Sequence, residues 1–389
     1  MSKWNSAILS DAVELVIDYR GKTPKKLGSD WCNDGYRALS AKNIKTGQIV
    51  QEDTIRYVDE ELYHKWMKEE IKKGDIIVTS EAPFGQIYYW DSDEKIVLSQ
   101  RLFAIRIKKE FDARYIYQYM TTPLFYEEMS ARATGTTVIG LRQPELMKCK
   151  IKYPNIEIQK KISAILCAID RKINNNMLIN LNLADQIQTI YCNDYDPLAY
   201  TPSGVLSDIC HYSTDKILVS ALSASTYYST ENMHSNKAGA VDAANLPSIS
   251  QTTKCHKGDV LVSNIRPYFK KIVYVTNDCG CSTDVLCFSP KESNLSAFLF
   301  GTLYVDRFFD YMVAGSKGTK MPRGDKKQIM NYPIVIPSEE SLAIYNETVM
   351  PMLEQIACNK AENKRLMNLR DTLLPKLMSG EINVSGIRL

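Results

Sequence analysis

One block of this chain occurs twice, and the interval between its copies decides what the chain can fold into. Lys73-Gly-Asp-Ile-Ile-Val-Thr-Ser80 returns as Lys257-Gly-Asp-Val-Leu-Val-Ser-Asn264, and Pro83 is answered by Pro267. Gly135-Thr136 returns as Gly318-Thr319, and each pair is followed by a proline that closes a short strand, Pro154 or Pro337. A period of about 183 residues is far longer than a solenoid unit of roughly 20–50 residues, so each copy is a domain. At 389 residues the chain also exceeds what one hydrophobic core supports.

Each copy reads as α+β. In the first, residues 76–79, 86–90 and 102–107 are rich in β-branched and aromatic side chains and bounded by Gly, Pro or Asp, so they predict strands. Residues 113–130 predict a helix, broken or bent near Thr122-Pro123. The second copy repeats this order with strands at 260–262, 272–275 and 285–288 and a helix over about 296–313. Strands and helices that do not alternate regularly favour α+β over a doubly wound sheet.

A long helical pattern follows each copy. In the first, Ile162, Ile169, Asn176, Leu183 and Ile190 recur at a seven-residue step, with Ile165, Leu166, Ile173 and Ile187 beside them. In the second, Tyr345, Met352, Asn359, Leu366 and Leu373 follow the same step, joined by Val349, Ile356 and Leu369. Such stripes predict a coiled-coil seam, and an asparagine within it fixes register at some cost in stability. Residues 157–191 as one helix would be roughly 50 Å long, more than a domain of this size needs as a lid. The expected plan is a first domain over 1–155, a helix over 156–192, a linker over 193–204, a second domain over 205–338, and a second helical segment over 339–380 that pairs antiparallel with the first. Pro351 is expected to sit in the first turn of the main second helix, after a separate short one.

Composition narrows the function. A formal charge of +3 is small for a generic polyanion binder, so any nucleic-acid contact rests on local clusters and base contacts. No run reaches the roughly 18 apolar residues of a membrane span, and Met1-Ser-Lys-Trp-Asn5 lacks the apolar core of a signal peptide, so the expected location is the cytoplasm. Ten scattered cysteines suggest reduced thiols. Cys255-His256 and Cys279-Gly-Cys281 could supply four zinc ligands, but the paired C-x2-C knuckles are missing, so no metal is expected.

Polar clusters fall in loops at equivalent places in the two copies. The first has Lys22-Thr-Pro-Lys-Lys26 after an opening helix and the turn Ser80-Glu-Ala-Pro-Phe-Gly85; the second has Ser263-Asn-Ile-Arg-Pro-Tyr-Phe-Lys-Lys271 and Lys317-Gly-Thr-Lys-Met-Pro-Arg-Gly-Asp-Lys-Lys327. Arginine, lysine, asparagine and glutamine read base edges, while hydroxyls and backbone amides hold phosphates. The DNA-contact candidates are therefore Lys25, Thr79, Ser80, Gln86, Thr136, Thr137 and Arg142 in the first copy. In the second they are Ser263, Asn264, Arg266, Tyr268, Lys270, Lys320 and Arg323. Helix pairing and partner docking are assigned to Ile162, Ile169, Asn176, Leu183, Ile190, Met352, Ile356, Asn359, Leu366 and Leu373. Lysine-rich loops are also ordinary solvated surface, and a scaffold whose repeated domains bind other proteins stays open as the alternative.

With these motifs assembled, the chain resembles the DNA-specificity subunits of Type I restriction-modification systems. The resemblance rests on the ending Leu369-Arg-Asp-Thr-Leu-Leu-Pro-Lys-Leu-Met-Ser-Gly-Glu-Ile382, the repeated Lys-Gly-Asp strand, the Gly-Thr turn, and the proline followed by Ile158-Gln-Lys-Lys-Ile-Ser-Ala-Ile165. It implies two target recognition domains, each reading one half of a split sequence in double-stranded DNA, on a helical spacer that docks two methyltransferase subunits and, through them, a restriction subunit. It also implies that the chain is no enzyme and holds no cofactor, with S-adenosylmethionine, ATP and Mg on the partners. The sequence agrees in lacking a P-loop and an Asn/Asp-Pro-Pro-aromatic methyltransferase turn, since Asn331-Tyr-Pro-Ile334 reads as the entry to a strand. The second copy departs from the family pattern at Ser338-Glu-Glu-Ser-Leu-Ala-Ile344, where the first has a glutamine near the helix start.

Overall fold

A computed structural model describes residues 4–135 and 137–387. The chain forms two compact units, Met1–Ile173 with Lys364–Leu389, and Asn174–Asn363.

In the first unit, a four-stranded antiparallel sheet runs in the order Val13–Asp18, Leu102–Ile107, Ile76–Thr79, Ile87–Tyr89. The Lys-Gly-Asp motif is the turn that feeds its third strand. Gly74 adopts φ +100°, a backbone region open to glycine, and the Asp75 carboxylate accepts the Lys72 N–H at 2.8 Å. Ile76 and Val78 then face one core with Phe103 and Ile105, while Ile77 faces a second with Leu102 and Ala104, as the period of two requires. That second core is closed by a three-stranded sheet (Arg56–Val58, Tyr36–Leu39, Ile96–Leu98) and the helix Glu60–Trp66. The predicted break near residue 122 is real. Helices Ala113–Met120 and Pro123–Arg132 are separated by Thr122, which caps the second and places Pro123 at its first position.

The second unit repeats the plan. Its antiparallel sheet is ordered Cys210–Tyr212, Val285–Pro290, Val260–Ser263, Ile272–Tyr274. Gly258 (φ +95°) and Asp259, whose carboxylate accepts the His256 N–H at 2.7 Å, rebuild the same turn. A four-stranded sheet replaces the three-stranded one, but it too contains a parallel pair, Tyr227–Tyr228 against Cys279–Cys281. The helical pattern over 296–313 again divides, into Ser296–Tyr304 and Asp306–Ala314.

Two long helices, Ile156–Tyr195 and Glu339–Ser379, supply both cores. Ile158, Ile162 and Leu166 pack on the first sheet together with Leu377 and Met378. Ala184, Ile187 and Tyr191 pack on the second unit's core together with Val349 and Leu353. The pairing is antiparallel: Asn176 donates to Asn363 at 2.9 Å, and Asn359 to Asn180 at 2.8 Å, within the second unit. Each seam asparagine thus bonds an asparagine one turn along the partner helix rather than the matching seam residue. Ile162, Ile169 and Asn176 are buried, but Leu183 and Ile190 are half-buried, because a helix of about 3.6 residues per turn drifts from a strict seven-residue step and hands burial to Ala184, Ile187 and Tyr191. On the second helix Asn359 is buried, Met352, Ile356, Leu366 and Leu373 are half-buried, and Leu369 is exposed.

Three expectations need correction. The second helix is continuous through Pro351, with no short helix before it. A mid-helix proline costs about 3 kcal/mol, but its ring is exposed while Tyr345, Val349 and Leu353 are buried around it, each contributing about 1.5–3 kcal/mol. The first long helix extends to Tyr195, past the expected linker start. The opening helix is a single turn, Leu9–Ala12, in which Asp11 accepts the Ile8 N–H, and a strand follows it; Leu206–Ile209 with Asp208 does the same in the second unit.

The closing motif has a local cause. Gly380 ends the helix at φ +80°, and a Cβ there would lie 2.4 Å from Trp4 Nε1, so only glycine lets the chain turn back and seat Ile382 and Val384 in the first core. Gln159 is also explained. Buried, it donates to Pro154 O at 2.9 Å and accepts the Asp112 N–H at 3.0 Å, tying helix start, strand end and neighbouring cap together. The second copy places the buried, apolar Leu342 here instead.

Candidate nucleic-acid interface

In the first unit three loops meet beyond one end of the main sheet. The turn after Ile76–Thr79 bridges Gly140 through Glu81, and its Ser80 clamps the other two loops. Ser80 N–H and hydroxyl both donate to Arg101 O, at 2.9 and 3.2 Å, and Ser80 O accepts the Leu141 N–H at 2.9 Å. The 134–140 loop is closed by reciprocal Thr134–Gly140 bonds of 2.9 Å. Gly135 is obligatory there, since at φ +118° a Cβ would lie 2.1 Å from Val138 O.

These loops and the turn after Val13–Asp18 border an open cleft of about 830 Å³, lined by five basic side chains (Arg20, Lys22, Lys26, Arg101, Arg142) and two acidic ones (Asp18, Glu81). Such a balance suits an anionic ligand. The cations are not equally available. Arg20 is bidentate to Asp18 and lies over the Phe103 ring, and Lys26 donates to Gly21 O. Lys22 donates to Trp66 O at 2.7 Å, and burial and then Lys68 lower its pKa. Arg142 is exposed.

The candidates named from sequence divide accordingly. Lys25, Thr137 and Arg142 are exposed, and Thr136 lies outside the described residues. Thr79 is fully buried and its hydroxyl accepts the Gln86 N–H, while Gln86 Oε1 accepts from Thr46 N–H and hydroxyl. Thr79 thus holds the turn in shape, and Gln86 ties it to Thr46 through its side-chain carbonyl oxygen. Ser80, also buried, is the clamp described above.

The second unit builds the same corner from different residues. Ile265 and Lys317 both bridge Arg323, matching Glu81 and Thr134 on Gly140, and the Asn264 N–H donates to Asp284 O at 2.9 Å, matching Ser80 on Arg101 O. Ser263 is buried and donates to Ile265 O. Asn264 is buried with its Oδ1 unpartnered among the described residues. Arg266 and Lys270 both adopt left-handed φ, +49° and +51°, bracketing the turn that exposes Tyr268 and Phe269. Lys270 is tied to Asp306 at 2.9 Å, beside Lys237 at 2.6 Å. Although burial opposes it, these two lysines hold the Asp306 carboxyl below its ordinary pKa. Lys320 is exposed, and Arg323 reaches Asp284 at 3.1 Å.

Sequence reasoning missed Arg101 and the exposed apolar loop tips, Val138, Ile139 and Met321. The signal for Arg101 lay in the repeat itself, where it matches Asp284. Exposed apolar tips are suited to thymine methyl groups. The suspected zinc residues diverge. His256 points to Asp215 at 3.6 Å on the surface, whereas Cys255 is buried among Cys279, Cys281 and Cys287, whose thiols, with burial, raise its pKa. Among the described residues no group of three or more His, Cys, Asp or Glu could hold a metal ion. Nor is any helix among them long and apolar enough to cross a membrane.

Comparison with known proteins converges on one family. Residues 1–183 match the model described as Type I restriction modification DNA specificity domain. The Type I restriction enzyme MjaVIII specificity subunit of Methanocaldococcus jannaschii is 30% identical over 151 residues, covering 37% of this chain and 35% of that protein, so this match spans about a third of the relative. The MjaIX specificity subunit of the same organism is 23% identical over 344 residues, covering 81% and 79%. The crystal structure of a Type I restriction-modification S subunit from M. genitalium aligns over 97% of this chain and 96% of that one, with a TM-score of 0.61 and 16% identity, a likeness of fold.

Proposed function

Since the chain belongs to the Type I restriction-modification DNA specificity family, we propose that it is the subunit that reads sequence for such a complex, each unit reading one half of a split duplex target. The observation that carries this reading is the pair of corners on one frame with unlike contents. Glu81, Arg101 and Gly140 in the first unit answer to Ile265, Asp284 and Arg323 in the second. Identical binding surfaces would select one half-site twice; these select two different ones. The modest net charge fits a protein whose DNA contacts are local.

The long helices are read as the spacer between half-sites. The buried heptad residues Ile162, Ile169, Asn176 and Asn359 are covered by the chain's own packing, so they are poorly placed to dock a partner as well. Methyltransferase subunits, taken as two per chain, are better received by the exposed run Met177, Leu178, Ile179 and Leu181, which are 52, 59, 44 and 58% accessible. That run also keeps protein binding part of the account. S-adenosylmethionine, ATP and Mg belong to these partners and to the restriction subunit, and the chain itself performs no chemistry. The assembly works in the cytoplasm, where the DNA is.

Co-expression with the methyltransferase subunit encoded nearest to it, followed by genome-wide mapping of methylated adenine, tests the proposal. A split motif that vanishes when this chain is omitted is the expected result. Methylation that is unchanged without the chain refutes it.

A further inference from the structure

The position shared by the two corners carries opposite charge, Arg101 in the first unit and Asp284 in the second, and that difference points to the residue that reads a base. In the first unit the cation comes from the loop before Leu102–Ile107: Arg101 Nε lies 3.0 Å from Glu81 Oε1. In the second unit the matching position is Asp284, and the cation comes from the glycine loop, where Arg323 Nη2 lies 3.1 Å from Asp284 Oδ1. Arg323 in turn occupies the place of Gly140. Each unit thus presents one loop arginine on a carboxylate, but from opposite loops.

Several features separate Arg101 from an ordinary surface cation. Its backbone sits at φ +64°, a region that L-residues avoid, and is held there by the two hydrogen bonds from Ser80. Its carboxylate partner is engaged through Nε, which leaves Nη1 and Nη2 of a 49% accessible side chain for a fork-shaped contact. Its cleft neighbours Arg20, Lys22 and Lys26 are bound to Asp18 or to backbone carbonyls. A guanidinium buttressed on one edge and open on the other matches the O6 and N7 acceptors of guanine in the major groove. Resting on the reading that this chain binds a split duplex target, we propose that Arg101 is the guanine-reading residue of the first unit, positioned by Glu81, and that Arg323 does the same work in the second. The loop that supplies the arginine sets where in each half-site the guanine falls.

The test is selection from a randomised duplex pool with the full-length chain, comparing wild type, R101Q, R101K, E81A and R323Q, with affinity measured over a salt series. R101Q should abolish one guanine preference in one half-site, a loss on the order of ten- to a hundredfold in discrimination, and leave the other half-site intact. R323Q should do the converse, and E81A should weaken the position lost in R101Q. An unchanged motif in R101Q overturns the proposal. So does a uniform loss of affinity for all sequences with a shallower salt dependence, which marks a phosphate contact. If R101Q fails to fold or to bind, R101K decides, since it keeps the charge but not the fork. A weakened guanine preference at retained affinity supports the proposal, and a wild-type preference overturns it. A wild-type chain that selects no split motif refutes the reading on which the proposal rests; a split motif indifferent to Arg101 refutes the proposal alone.

Discussion

Replacing Asp75 by alanine should damage the first unit more than Asp259→Ala damages the second, although both residues come from the same repeated motif. Asp75 is 1% exposed and accepts Arg106 Nε at 2.9 Å, Arg106 Nη2 at 2.8 Å and the Lys72 N–H at 2.8 Å. The hydrogen bond to Asp75 also raises the Arg106 pKa, against desolvation. Removing one member of a buried ion pair costs about 3–5 kcal/mol, because the survivor stays charged and desolvated. The lower end applies here, since the Arg106 side chain retains 18% exposure. Asp259 accepts the His256 N–H and the Cys287 thiol, both neutral donors, so its loss costs about 1–3 kcal/mol. Hydrogen exchange of the full-length chain reads the difference. Amides of Ile76–Thr79 and Leu102–Ile107 should exchange roughly two orders of magnitude faster or more in D75A, with those of Val260–Ser263 unchanged. Adding Arg106→Leu to D75A should restore most of the protection, because an apolar pair needs no partner charge. Equal costs for D75A and D259A, or additive effects of D75A and Arg106→Ala, would refute the reasoning.

Further outcomes follow from other sites. Gly380→Ala should destabilise the first unit by about 1–2 kcal/mol or more, since it combines left-handed backbone with the Trp4 contact; thermal unfolding measures this, and an unchanged melt contradicts it. The Lys317 hydrogen bond, then the Gln328 and Lys327 N–H groups, lower the Asp325 carboxyl to a pKa of about 2. Its folded value lies below the unfolded one of about 3.9, so its stabilising effect is complete above that pH and lost as pH falls through about 2. Carboxyl NMR should show this titration, and Lys317→Ala should move it upward. Alkylation near neutral pH should mark the exposed Cys358 well before Cys149 and Cys210, whose thiols burial pushes up to about 11 and 12; uniform labelling contradicts the assignment. Replacing Asn180 and Asn359 together by leucine should hold or raise the melting temperature while broadening the half-site spacing selected, since a seam amide trades stability for register. A narrower spacing would contradict it.

The sequence was legible where spacing has a direct structural meaning. The repeated Lys-Gly-Asp turn, the strands behind it, the Thr122 break and the paired helices follow from periodicity and turn chemistry. Pro351 was misread because local propensity favours a break, whereas buried neighbours on both sides outweigh it. The opening helix was misread because Leu9-Ser-Asp11 carries a helix-start signal for one turn only. The site was less legible, for a different reason. Thr79 has the right chemistry for DNA, and nothing local shows that its side chain is buried and already engaged with the Gln86 N–H. Arg101 lacks any motif and reaches the corner only because Ser80 binds its carbonyl across the sheet.

The most direct measurement exchanges one recognition segment at a time. Residues 1–155 or 203–337 are replaced by the matching segment of a relative with a different target, and the methylated motif is mapped in cells carrying the methyltransferase subunit. Each exchange should alter one half of the motif and leave the other half and the spacing unchanged. Exchanges that alter both halves together, or neither, would contradict the proposed function.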